Sequence, residues 1–89
     1  MMGFETEKVF LDGVSKDYSR SLTTYYCLVK AYKYLMYADK VNDNLRVEYK
    51  EKALWYLNYI DDNLFSAVQG RYPVDLYLYI RGRLIGDQS

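Results

Sequence analysis

The side chains able to do chemistry in this 89-residue chain are one thiol, Cys27, twelve carboxylates and twelve tyrosines lying between Tyr18 and Tyr79, with no histidine. Without histidine, the commonest general base, the usual nucleophilic triads and most transition-metal sites lose their central group. The acids do not replace it. Asp61 and Asp62 are neighbours, which on a helix point more than a quarter turn apart, so they read as a solvated edge or as partners for basic residues. Glu48 and Glu51 could face one way, but a carboxylate metal centre draws further ligands from other helices, usually with histidine. No glycine-rich phosphate loop is present. Cys27 lies inside an apolar helical pattern with no base to activate it, and reads as a small core residue. The expectation is a non-enzymatic chain with no catalytic residue, cofactor or metal.

The tyrosines point elsewhere. Each has an aromatic body to bury and a hydroxyl that wants water or a partner, whereas helical cores of this size are filled by aliphatic residues. The surplus therefore predicts an aromatic surface made to be covered, within an assembly or by a partner. About half of the rings, Tyr25, Tyr32 and Tyr56 among them, are accounted for as boundary packing. Tyr26, Tyr34, Tyr37, Tyr49 and Tyr59 fall off the main apolar stripes and are expected to expose rigid rings, as binding surfaces do. Arg71, Arg81 and Arg83 lie near Tyr72, Tyr77 and Tyr79, a mixture that suits a protein interface and could also stack on single-stranded nucleic acid. Twelve basic residues balance twelve acidic ones, which disfavours a polyanion partner. The candidate partner-binding residues are Tyr25, Tyr26, Tyr32, Tyr34, Tyr59, Tyr77, Tyr79, Arg81 and Arg83, and a groove accepting an amphipathic helix is the natural arrangement.

The elements that must position these residues emerge from periodicity. Tyr18, Leu22, Tyr25, Val29, Tyr32 and Met36 recur at alternating steps of four and three, one stripe down a helix over 18–41. A second row, Leu28, Ala31, Leu35 and Ala38, lies beside it, so both rows are expected to form one wide buried face. Asn42-Asp43-Asn44 supplies turn and N-cap residues. A second helix over 45–68 carries Val47, Leu54, Leu57, Ile60 or Asp61, and Leu64 on one face, with Glu48 and Lys52 at the supportive spacing of four. Gly70 is placed to end it and Pro73 to open the next element. Residues 74–85 alternate like a half-buried strand but also fit a helical stripe; with no partner strand in sight, a helix over 73–85 is preferred. Residues 1–17 read as an N-terminal arm or short helix. The fold class is all-α, a small antiparallel bundle of three to four helices with two long central ones in a single domain. The start lacks a signal-peptide pattern and no apolar run would span a bilayer, so no membrane and a reducing, cytoplasmic setting are expected.

The order of these features resembles the flagellin export chaperones, the FliS family. The likeness rests on Leu22-Thr23 opening the first long helix, the Asn42-Asp43 turn, Lys52-Ala53 in the next, and Leu76-Tyr77-Leu78-Tyr79 followed by Arg83-Leu84, similar to the family's LYxY…RL element. It covers about two thirds of the chain. The resemblance implies a cytoplasmic helical bundle that binds the C-terminal segment of flagellin without catalysis. It implies further that Phe4 and Phe10 belong to an arm over a groove walled by Tyr25, Tyr32, Leu57 and Tyr77. The family carries another helix beyond this element, which here would be missing or supplied by a partner. Two other binding roles fit the same composition: a phage or mobile-element protein that blocks a host machine, and a subunit that pairs with itself as a homodimer.

Overall fold

Two side-chain caps set the frame. Ser19 accepts a hydrogen bond from the Leu22 N–H and Asn42 accepts one from the Leu45 N–H, each at 3.2 Å. Each satisfies a backbone donor that has no partner within its own helix. The computed structural model describes residues 3–64 and 74–85. The helices opened by these caps are α2 (Arg20–Ala38) and α3 (Asp43–Tyr59). Before them runs α1 (Phe4–Asp17), a full helix of 14 residues, and after them α4 (Val74–Leu84). A π-helical segment, Ile60–Leu64, continues α3. Among the described residues there is no strand, so the fold is all-α and the alternating pattern of 74–84 is helical. Residues 65–73, with the expected helix end at Gly70 and start at Pro73, lie outside the described residues.

The short connection after α2 makes an antiparallel hairpin. Tyr37 meets Tyr49 near the turn, with ring centroids 5.5 Å apart, while Arg20 donates to the Asn63 carbonyl at the far end at 2.9 Å. Arg46 closes the turn: its guanidinium donates to the carbonyls of Ala38 and Val41, both at 3.2 Å, where α2 leaves its last acceptors open. The helix α1 lies on this hairpin through Phe4, whose ring packs edge-on against Tyr34, Trp55 and Tyr56. Against both helices of the hairpin α4 buries Tyr77, Ile80 and Leu84.

The structure turns α2 away from the expected orientation. Its buried face consists of Thr23, Thr24, Cys27, Leu28, Ala31, Tyr34, Leu35 and Ala38. The expected stripe of Tyr18, Leu22, Tyr25, Val29, Tyr32 and Met36 is exposed throughout. Size decides the matter. Alanine, cysteine and threonine let the α3 backbone approach closely, whereas three tyrosines in line would hold the helices apart. The two threonines cost little there, since their hydroxyls donate to the carbonyls of Ser19 and Arg20 at 2.9 and 2.8 Å. Likewise Val47, expected on the buried side of α3, is exposed, while Ala53, Tyr56 and Leu57 enter the core. The Glu48–Lys52 pair forms as expected, at 3.6 Å.

This orientation predicts opposite responses from neighbouring residues. Ala31→Leu should overpack the contact and lower unfolding free energy by about 1–3 kcal/mol. Val29→Ala, two positions away on the outer face, should keep the unfolding free energy of the monomer, at low micromolar concentration, within about 0.5 kcal/mol of wild type. Urea denaturation followed by circular dichroism measures both, and equal sensitivity at the two sites would contradict the arrangement.

Candidate functional site

Two polar clusters hold most of the partly buried ionisable groups. In the first, Glu7 on α1 receives hydrogen bonds from the Tyr34 hydroxyl and from the Tyr56 hydroxyl, the latter at 2.9 Å, and pairs with the Lys30 ammonium at 3.3 Å. Burial alone would raise the Glu7 pKa. The two phenols and Lys30 outweigh it and hold the carboxyl below its ordinary value. The same cluster pushes Tyr34 and Tyr56 well above the usual phenol range, first by burial and then by their bonds to the Glu7 carboxylate. Lys52 completes the cage, its ammonium 5.6–5.7 Å from the rings of Phe4, Tyr34 and Tyr49.

The second cluster joins the π segment to α4. Asp61 accepts from the Tyr77 hydroxyl and from Arg81 Nη1 at 2.8 Å, and that same nitrogen donates to the Tyr77 hydroxyl at 3.2 Å. Burial, reinforced by the bond to Asp61, pushes Tyr77 up to about 12. Asp61 is thus the partner of a basic residue. Among the described residues, no buried side-chain nitrogen or oxygen is left without a hydrogen bond, and no group of three Cys, Asp or Glu side chains is placed to hold a metal. Cys27 is fully buried, and burial pushes its thiol up to about 12. These clusters tie helices together.

The surface that stands out is apolar. Leu22, Tyr25, Val29, Tyr32 and Met36 on the outer side of α2, with Tyr18 just before it and Tyr79 of α4, are each 39–58 % exposed. Tyr32 and Tyr79 carry the face across two helices, with ring centroids 6.5 Å apart. At its lower end Tyr18 joins Val9, Phe10, Gly13, Val14 and Asp17 around a cleft of about 380 Å³. A continuous apolar face of this kind marks interaction sites rather than scattered surface residues.

The candidate residues named from sequence divide unevenly. Tyr25, Tyr32 and Tyr79 meet on this face. Tyr26 and Tyr59 are half-buried, Tyr26 against Phe10 and Tyr56, and Tyr59 against Trp55. Tyr34 and Tyr77 are core, only 7 % and 6 % exposed, so the expected exposure of the off-stripe ring at Tyr34 does not hold. Arg81 binds Asp61, and Arg83 bridges Asp39 at 2.8 Å and the Tyr79 hydroxyl at 3.1 Å. Leu22, Val29 and Met36, a stripe that hydrophobicity sends to the interior, belong to the exposed face instead. The signal that separates the rows is the run of small residues, Thr23, Thr24, Cys27, Ala31 and Ala38, on the opposite side of the helix. Among the described residues no helix is long and apolar enough to cross a membrane. No family model, curated protein or solved structure matches the chain.

The Glu7 cluster sets a pH dependence with a definite sign. A carboxyl whose folded pKa is depressed stabilises above its unfolded value, and that stability is lost as pH falls through the folded one. Glu7→Gln should therefore cost about 2 kcal/mol at neutral pH, the scale of hydrogen bonds to a charged group. The difference from wild type should shrink as pH falls below the ordinary glutamate range. Thermal denaturation across the acid limb measures it, and a difference independent of pH would show that the carboxylate charge plays no part.

Proposed function

We propose that this chain is a non-enzymatic protein-binding module whose working surface is the outer face of α2, extended by Tyr79. The observation that carries this reading is the exposure of five apolar side chains in line on one helix, beside a core whose buried side-chain polar atoms, among the described residues, are all hydrogen-bonded. Tyrosine suits such a surface because it brings large contact area at low conformational cost. A helix presenting its own apolar stripe is the ligand such a row fits. The resemblance to the flagellin export chaperones supplies a specific client, the C-terminal segment of flagellin, masked in a reducing cytoplasm before export.

Titration calorimetry with that segment tests the client directly. Binding should be saturable, and the Tyr25→Ser, Tyr32→Ser double variant should weaken it at least about tenfold, as loss of aromatic anchors does. Helix content should stay unchanged because both rings lie outside the core. Tyr34→Ser should instead lower stability. No heat and no co-elution at high micromolar concentration would remove the flagellin client; binding untouched by the double variant would move the site off α2.

A further inference from the structure

The spacing of the exposed row carries more than exposure does. Steps of three and four from Leu22 to Met36 along α2 repeat every seven residues, the period of a seam that one helix presents to another in a coiled coil. Within the seam the two alternate positions differ in kind. One holds Leu22, Val29 and Met36; the other holds Tyr25 and Tyr32.

We infer that the helix seated on this seam is α2 of a second copy of the chain, lying antiparallel about a two-fold axis at the level of Cys27. The inference rests on reading the α2 face as a helix-docking surface and names its occupant. An antiparallel pair brings the first kind of position opposite the second. Leu22 then meets Tyr32, and Tyr25 meets Val29, each contact occurring twice by symmetry. Both rings of the helical seam face an aliphatic side chain, so the layers are even in thickness. A parallel pair in register would instead stack tyrosine on tyrosine twice and leave the Val29 layer thin. The antiparallel pairing also sets Lys33, at the seam edge, near Ser19 of the second copy, so no like-charge contact arises there. Area agrees: the five seam residues of α2, with Tyr18 and Tyr79 beside them, leave on the order of 700 Å² exposed, close to the roughly 800 Å² per partner of a stable interface. A client helix and the second copy then compete for one face.

Sedimentation equilibrium of the full chain at high micromolar concentration should give a dimer. Val29→Asp places a charge beside the axis and should raise the dissociation constant at least about tenfold without loss of helix content. Direction is read by disulfide trapping. An equimolar mixture of Leu22→Cys and Tyr32→Cys chains should form the mixed dimer under mild oxidation. Leu22→Cys alone should not cross-link, because its two copies lie about 15 Å apart along the seam, beyond disulfide reach. Buried Cys27 gives no background. A Leu22→Cys homodimer would overturn the antiparallel pairing. A wild-type monomer that still binds the flagellin segment would overturn self-association and leave the docking reading intact. A dimer insensitive to Val29→Asp would place self-association on another surface and overturn the α2 seam.

Discussion

The close contact between α2 and α3 governs this molecule, and small side chains make it. Ala31 of α2 and Ala53 of α3 are completely buried in one core with Cys27 and Leu28. Where side chains are this short, the distance between helix axes falls and dispersion contacts multiply over the whole interface. Larger residues then fill the ends. Tyr34 stacks on Tyr56 with ring planes 20° apart, and Leu57, Ile60 and Leu64 extend the contact toward α4. Once α2 turns its small residues inward, its tyrosine row has nowhere to go but outward. The exposed face is thus a geometric by-product of the core, available for a partner without any cost to folding.

Around this hairpin the outer helices are joined as much by polar groups as by apolar ones. Glu7 links α1 to two buried phenols, and Asp61 links the π segment to Tyr77 and Arg81. Both clusters work by the same balance. Burial opposes the charge, and several donors converging on one carboxylate reverse that opposition. Tyrosine serves this purpose where phenylalanine would not, because it fills core volume and donates a proton as well. Part of the unusual tyrosine content is therefore structural chemistry, and only the remainder is surface.

The helices are legible in the sequence because long periodic rows and cap residues act locally. Asn42 caps α3 from the turn in which a cap is expected, and Glu48 pairs with Lys52 across one turn. Which row faces inward is not legible. Hydrophobicity ranks Leu22, Val29 and Met36 as core and gives Thr23 and Thr24 no such weight, but the interior is selected by fit against α3, a partner distant along the chain. Tyr34 departs from expectation for the same reason: its burial depends on a carboxylate 27 residues away, and no local pattern records that. For residues 74–84 two periods compete, and the need for a partner strand correctly favours helix.

The π segment gives the end of α3 a particular phase. Ile60 and Leu64, four residues apart, share the buried side of this turn, and Asp61 between them reaches Arg81. One turn thus carries both the last apolar contacts of α3 and its polar tie to α4, so replacing Asp61 would loosen a helix that lies elsewhere in the chain while leaving the turn's own burial intact.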